Sequence, residues 1–259
     1  MKLSEQYTQE LFENLSYHAT WFPNDILKLG DIGYFNDNHF ERVYNLADVG
    51  IPYEVSEDKA PADYEYISKS GVSITTKLAG TVPALGSKLT KAEAGICINF
   101  NAANAIVFQA GDCEIITIKN KKKLEEDILT LKRKDEWVAD YVVITTIVRS
   151  KSVTVIISNE SGGKVELTAH AGIKAGTAEV ATLKTSNKLK YASKVGVQVI
   201  AATNLTPLYK ASGIKRGFLF AKDKLITRGE SGSPSEISSM NAVEQFSELN
   251  LDDLQQFLE

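Results

Sequence analysis

The chain has 259 residues, of which 43% are hydrophobic and 24% charged, a composition that is typical of a globular fold and excludes disorder over most of its length. A formal net charge of −4 argues against a nucleic-acid partner. No apolar run approaches the ~20 residues of a transmembrane helix, so the composition predicts a soluble protein.

The N-terminal residues predict no signal peptide, because they lack an apolar stretch and carry three glutamates within the first 13 positions. Two cysteines, Cys97 and Cys113, are more typical of a reducing compartment than of a disulfide framework. We expect both to be small buried core residues.

Two segments have helical periodicity, residues 3–16 and residues 121–135. Each carries one apolar stripe and a charged opposite face. The stripes are Leu3, Tyr7, Leu11 and Leu15 in the first segment, and Leu124, Ile128 and Leu131 in the second. Both segments are predicted to be helices that pack against a sheet.

Most of the remaining chain alternates in the manner of β-strands. The pattern predicts strands over 26–51, a loop over 57–63, a strand over 64–76, a hairpin over 95–118, a hairpin over 140–158 with its turn at 149–152, and strands over 164–171 and 188–202. The 140–158 hairpin is expected at the centre of the sheet. The order of helices and strands predicts an α+β fold with a mainly antiparallel sheet and flanking helices.

Residues 70–99 and 164–199 differ from the rest, since they are rich in Ala, Gly, Ser, Thr and Lys and alternate only towards their ends. These two segments are either flexible surface loops of a β-protein or segments that insert into a membrane. A membrane-spanning β-strand needs about 9–11 alternating residues, and each segment is long enough for two. The candidate membrane-inserting residues are Val72, Ile74, Leu78, Val82, Val165, Leu167, Ala169, Leu189, Tyr191, Val195 and Val197.

A Gly/Ser/Pro-rich stretch over 228–239 predicts a linker between a domain (1–227) and an amphipathic C-terminal tail (240–259). The tail's apolar residues have helical spacing, with Asn250 as the N-cap of a second helical piece. They are Val243, Phe246, Leu249, Leu254 and Phe257. Such a face must dock in a groove, on its own domain or on a partner, unless the tail is simply a solubilising helix that caps the sheet.

Charge separates the tail from the body. Residues 229–259 contain seven acidic and no basic residues, so without them 29 basic residues face 26 acidic ones and the net charge becomes +3. A body of that charge is attracted to an anionic membrane surface.

The order of these features resembles the gasdermin pore-forming domain, in particular the short bacterial gasdermins. The resemblance lies in the helix KKKLEEDILTLKRKDEW, the strands DYVVITTIVRSKSVTVII, a hairpin-forming segment on each side and a short tail, over roughly residues 20–217 plus the tail. It implies a twisted sheet restrained by the tail and released by an associated protease. The two segments then refold into hairpins of a membrane β-barrel pore, which causes cell death in defence against phage. Bacterial gasdermins often carry a lipid-modified cysteine near the N-terminus, whereas the first cysteine here is Cys97.

The expected function is therefore an autoinhibited pore-forming effector, cytoplasmic when intact and at the inner (plasma) membrane after cleavage. Its partners would be an activating protease, membrane lipids and other copies of itself, with no nucleic acid. We expect no enzymatic activity, catalytic residue, metal or cofactor. The favoured cleavage site is the bond between Arg228 and Gly229, suited to an Arg-specific protease, ahead of the bond between Arg216 and Gly217.

Two other interpretations are open. The chain could be a soluble β-rich binding module whose amphipathic tail docks into a partner. It could also be a small-molecule enzyme, which would require Cys97 or Cys113 to lie close to one of the three histidines, His18, His39 or His170.

Overall fold

The computed structural model describes residues 2–22, 26–36, 39–69, 71–76, 80–81, 96–168, 188–202, 204–217, 243–251 and 253. In these residues two helices accompany fourteen strands. The helices are α1 (Leu3–Leu15) and α2 (Lys121–Arg133), and a short 3-10 helix spans Leu46–Val49. The strands are β1 (His18–Ala19), β2 (Asp31–Asn36), β3 (His39–Asn45), β4 (Val55–Ile67), β5 (Val72–Thr76), β6 (Gly80–Thr81), β7 (Ile96–Phe100), β8 (Ile106–Ile118), β9 (Val142–Ser158), β10 (Gly163–Thr168), β11 (Lys188–Ser193), β12 (Val195–Ala202), β13 (Leu205–Gly217) and β14 (Val243–Glu248).

The strands form two antiparallel sheets, a nine-stranded main sheet and a five-stranded small sheet. This confirms the predicted α+β class with mainly antiparallel pairing. No helix in the described part of the chain is long and apolar enough to cross a membrane.

Strand β9 is the centre of the main sheet, as predicted. One of its edges pairs with β13 and then β12, and the other pairs with β2 and then β8. The prediction of a hairpin over 140–158 was wrong, because β9 is one continuous strand of 17 residues. Arg149 and Lys151 are exposed while Ser150 and Ser152 are buried, so the polar stretch alternates as a strand does. The Ser150 hydroxyl donates to the Gly111 carbonyl at 2.8 Å, which satisfies it inside the sheet.

The predicted hairpin over 95–118 was also wrong. Strand β7 belongs to the small sheet, whereas β8 lies between β4 and β9 in the main sheet. The connection between them is held by Ser158, whose hydroxyl donates to the Ala102 carbonyl at 2.7 Å and accepts from the Ala105 amide at 2.9 Å. Asn104 adopts the left-handed region there, with φ of 58°, so the chain passes from one sheet to the other.

The loop predicted over 57–63 is part of strand β4. Its pairing with β8 is irregular around Ala62, where the register shifts on both sides. An irregularity of this kind admits Pro61, which has no amide hydrogen for a regular ladder.

The small sheet is built from the ends of the two unusual segments. Its strand order is β11-β10-β7-β5-β6, so strands from residues 72–100 and from 163–193 meet at the pairing of β7 with β10. Its inner face packs on Val107 and Ile156 of the main sheet.

Both predicted helices are present and bury the expected stripes. Tyr7 and Leu11 of α1 are fully buried, as are Leu124 and Ile128 of α2. Cys113 is buried as expected, whereas Cys97 is only partly buried, because it lies on the outer face of the small sheet.

Candidate functional site: the docked C-terminal segment and the small sheet

The C-terminal segment, here residues 243–251 and 253, docks on its own chain as an extra strand of the main sheet. Strand β14 pairs antiparallel with β13 over six residues, from Ser212 opposite Glu248 to Gly217 opposite Val243. Because β1 pairs with Leu208 and Tyr209, β1 and β14 follow one another along the same edge of β13. The segment therefore completes that edge.

Two apolar side chains anchor the segment in the core. Phe246 lies directly opposite Ile214 and is 7% exposed, and Leu249 is 2% exposed. Both belong to the cluster that contains Leu124 and Ile128 of α2. The burial of one such side chain contributes roughly 1.5–3 kcal/mol. The anchors face the interior of this chain, so in this conformation they are not available to a separate partner.

Backbone and imidazole groups fix the end of the strand. The Leu249 amide donates to the Ala211 carbonyl at 2.9 Å. The Leu249 carbonyl lies 3.0 Å from His18 Nε2, which makes this nitrogen the protonated one in the neutral ring. The His18 ring is buried between Phe12 and Tyr209, so the N-terminal part of the chain contributes directly to the binding of the segment.

Three lysines of the body pair with carboxylates of the segment. Lys210 Nζ lies 2.7 Å from Glu248 Oε1, Lys121 Nζ lies 3.9 Å from Glu248 Oε2, and Lys215 pairs with Asp253. The sequence predicted the acidic tail and the basic body, but not which lysines meet which carboxylates.

The predicted helix over Val243, Phe246 and Leu249 was wrong, because residues 243–248 form β14. The free edge of β13 offers a row of hydrogen-bonding groups, and a strand can use all of them. Phe246 and Leu249 both reach the core although they are three residues apart, because the strand, and with it the regular alternation of faces, ends at Glu248.

Asn250 behaves as the predicted N-cap. The Asp253 amide donates to Asn250 Oδ1 at 2.9 Å, and the Asn250 amide donates to Asp253 Oδ2 at 2.7 Å. This reciprocal pair is the geometry of a capping box. Most of the residues of the helical piece predicted beyond Asn250 lie outside the described part of the chain.

The small sheet separates its two faces by polarity, as the alternation predicted. Ile74, Ile98 and Val165 are in register across β5, β7 and β10, and all three are at most 5% exposed. Val72 and Leu167 join them on the inner face. The outer face is polar and includes an ion pair between Lys164 and Glu166 at 2.8 Å. The structure thus brings four of the predicted membrane-inserting residues together on one apolar face.

The last part of the second segment departs from the predicted parity. Tyr191 is 50% exposed, opposite Glu166, and Ala192 packs inward in its place. Lys194, with φ of 53°, then separates β11 in the small sheet from β12 in the main sheet. Val195 packs on the small-sheet cluster and Val197 on the main-sheet cluster. One uninterrupted strand over 188–202 was therefore the wrong prediction.

Several candidate residues have no described side chain. Leu189 and Val243 are placed by their backbones, opposite Leu167 and Gly217 respectively. The residues outside the described part of the chain are Leu78, Val82, Ala169, Arg228, Gly229, Leu254 and Phe257. The linker over 228–239 and the favoured cleavage site lie outside it as well.

A second contact, which the sequence did not indicate, joins α1 to the start of the small sheet. The Glu10 carboxylate accepts hydrogen bonds from the Tyr66 hydroxyl at 2.7 Å and the Ser68 hydroxyl at 2.9 Å. Burial, followed by the bond to Glu10, raises the pKa of Tyr66 to about 12. Ser68 stands between β4 and β5, so α1 fixes the point at which the chain leaves the main sheet.

The cysteines and histidines of the described part of the chain lie in four different strands. Cys97 is in the small sheet opposite Thr75 and Glu166, and Cys113 is in the main sheet opposite Ala62 and Ser150. His39 Nδ1 is hydrogen-bonded to the Trp21 carbonyl, and His170 is not among the described residues. Within those residues no group of three or more His, Cys, Asp or Glu could hold a metal ion.

Comparison with known proteins gives no match, neither to a protein-family model nor to a curated protein.

Proposed function

We propose that this protein is an autoinhibited pore-forming effector of the gasdermin type, held inactive by its C-terminal segment and released when a protease cuts the linker. Released copies would oligomerise on a membrane, and the two segments would extend as hairpins through it. The resemblance to bacterial gasdermins extends the proposal to cell death in defence against phage, with a cytoplasmic intact chain that acts at the inner membrane.

The observation that carries the proposal is the small sheet. Its strands come from the two segments in which the sequence alternates, and its apolar residues lie on one face that the main sheet covers. A membrane hairpin needs the same separation, with the apolar set towards lipid. The same side chains could thus be buried against Val107 and Ile156 in the intact chain and against lipid in a pore.

The docked segment supports autoinhibition. It is short, it is held by two apolar anchors and three ion pairs to lysines, and it is tethered through the linker. The two pairs made by Glu248 are solvent-exposed and contribute about 0–1 kcal/mol each, so the two anchors, the strand pairing and the less exposed pair of Lys215 with Asp253 dominate its affinity. The linker keeps the segment at high local concentration, so we expect a cut in the linker to allow the segment to dissociate.

The test is dye release from liposomes. Residues 228–239 are replaced by a site for a sequence-specific protease, and the protein is cut in the presence of dye-loaded vesicles that contain anionic lipid. We expect release only after the cut, and suppression of release by an excess of a synthetic peptide of residues 240–259. Vesicles that stay intact although mass spectrometry and gel filtration show loss of the segment would contradict the proposal.

The natural cleavage site is tested separately in cells. An Arg228→Lys substitution keeps the charge but removes the arginine that an Arg-specific protease needs, so it should block activation by such a protease. Expression of residues 1–227 alone should be toxic without any protease. A binding module would lose its partner on this truncation without harming the cell.

A further inference from the structure

We propose that the edge of β13 covered by β14 is the surface through which released copies bind one another, by pairing with strand β3 of a second copy. The inference rests on the proposed function in one respect, since it requires release of the C-terminal segment. The partner is therefore a second copy of this chain, bound through backbone hydrogen bonds.

Release of the segment leaves an open edge on β13. Residues 212 and 213 keep β9 on their other side, whereas residues 214–217 pair with β14 alone among the described strands. Departure of β14 therefore exposes the backbone groups on this edge of a six-residue stretch and uncovers Ile214. An open edge of this kind is a template for another strand.

Strand β3 has the properties that this edge requires. It stands at the opposite end of the strand path β1-β13-β9-β2-β3, and within the described part of the chain it pairs only with β2. It has seven residues, a length that matches the six-residue footprint of β14. Val43 lies at the register shift of β3 against β2, between Arg42 and Tyr44, and is 46% exposed, so it offers an apolar side chain to an incoming strand.

Release of the segment also leaves lysines without their carboxylate partners beside the open edge. Lys210 and Lys215 lose their carboxylate partners when Glu248 and Asp253 leave. Strand β3 carries Glu41, which is hydrogen-bonded to the Tyr34 hydroxyl at 2.7 Å and remains solvent-accessible. The neighbouring Arg42 of β3 is already paired with Asp31 of its own chain at 2.8 Å, so Glu41 is the carboxylate that β3 can offer to these lysines.

The two edges are different, and this determines the kind of assembly. Each copy would present one β13 edge and one β3 edge, so contacts are head-to-tail and repeat from copy to copy. Such contacts give a ring when the rotation closes. A pairing of β13 with β13 would instead stop at two copies. In the intact chain, β14 occupies the β13 edge, so under this proposal the protein stays monomeric until it is cut.

The test uses one substitution at β3 and a matched control. A Val43→Lys substitution places a charge in the middle of the edge strand, a device that prevents edge-to-edge pairing. Val49→Lys introduces the same charge at a residue that is also 46% exposed but lies in the adjacent 3-10 helix, outside the strand. Both are made in the full chain with the cleavable linker.

After the cut, assembly is measured by chemical cross-linking with and without vesicles, and vesicle binding by flotation. We expect Val43→Lys to bind vesicles but to form at least tenfold fewer oligomers, and Val49→Lys to behave as the parent. A peptide of residues 243–253 should block assembly of the parent, because it refills the β13 edge.

The outcomes separate the two proposals. If Val43→Lys assembles as well as Val49→Lys, or if the parent stops at a dimer, the pairing of β13 with β3 is overturned while dye release by the parent still supports the pore. If the parent assembles in a manner that depends on Val43 but releases no dye, the pairing stands and pore formation fails. A cut parent that does not self-associate with or without vesicles overturns the pairing.

Discussion

His18 connects the two ends of the chain. Its imidazole is 3% exposed and donates to the Leu249 carbonyl, so a residue near the N-terminus holds the C-terminal segment. Burial lowers the pKa of His18 to about 4, although the bond to Leu249 and the nearby Glu248 favour the protonated ring. Lys210 acts in the same direction as burial. The docked state therefore contains a neutral histidine.

A pH dependence follows from this shift. When His18 is exposed, its pKa returns to about 6.5, so below that pH the exposed ring binds a proton that the buried ring excludes. Above pH 6.5 the titration of His18 does not change the stability of the docked, folded state. As the pH falls from 6.5 to 4, that stability decreases by about 3 kcal/mol in total. We expect thermal unfolding of the intact chain to show a lower Tm at pH 5 than at pH 7.5.

A substitution at His18 tests whether this residue causes the pH dependence of the Tm. A His18→Gln variant keeps a donor for the Leu249 carbonyl but has no titratable ring, so its Tm difference between pH 7.5 and pH 5 should shrink. His39→Gln, which removes a histidine away from the segment, should leave the difference unchanged. Equal pH dependence in the parent and in His18→Gln would show that the titration of His18 is not responsible.

Phe246 is the larger of the two apolar anchors that hold the C-terminal segment. Truncation of a buried Phe costs about 3–5 kcal/mol, and a carboxylate at this position would also have to be desolvated. We expect Phe246→Glu to raise the undocked population by a factor of at least about 100, measured as faster amide exchange at residues 243–249 and as dye release by the uncut chain. Ser247→Glu adds the same charge on the opposite face of β14 and should leave both readouts near the parent's.

At the scale of elements, α1 is linked to both functional parts of the chain. Its Phe12 packs against His18, which binds the C-terminal segment, and its Glu10 binds Ser68 at the start of the small sheet. Ser68 is further tied to β8, since its hydroxyl accepts from the Ile106 amide at 2.9 Å. The helix thus restrains the junction between β4 and β5.

Removal of the Glu10 carboxylate should loosen that junction. A hydrogen bond to a charged group contributes about 1.5–3 kcal/mol, and Glu10 accepts two from residues outside its helix. We expect Glu10→Ala to accelerate amide exchange over residues 66–76 by at least about tenfold. Glu13→Ala, which removes a carboxylate that accepts from Gln9 within the helix and makes no hydrogen bond to Ser68 in the described structure, serves as the control. Unchanged exchange in Glu10→Ala would mean that α1 does not hold the junction.

The whole molecule shows which features a sequence pattern can predict. Helical stripes such as Leu124 and Ile128 are local, and both helices were predicted. The two hairpin predictions were wrong, because Ser150 and Asn104 are residue types that favour turns, and the sequence alone does not show whether the chain forms a hairpin at either position. Whether they form a turn depends on partners far along the chain, Gly111 for Ser150 and Ser158 for Asn104.

The candidate site was predicted in part for the same reason. The acidic tail, its apolar anchors Phe246 and Leu249, and the alternation of Val165 with Glu166 can be read along the chain. The secondary structure of the tail cannot be read along the chain, because the spacing of its apolar residues suits a helix. Its strand conformation depends on the open edge of β13, which the sequence does not reveal. His18 and Glu10 gave no local signal, since their partners lie 231 and 58 residues away.

The pairing of β7 with β10 has a consequence for the order of folding. These two strands are separated along the chain by β8, α2 and β9, which all belong to the main body. The small sheet therefore closes a long loop, and it gains its apolar support from Val107 and Ile156 only after those residues are in place. We therefore expect the small sheet to be the last unit to form, and the first that can detach while the main sheet stays folded.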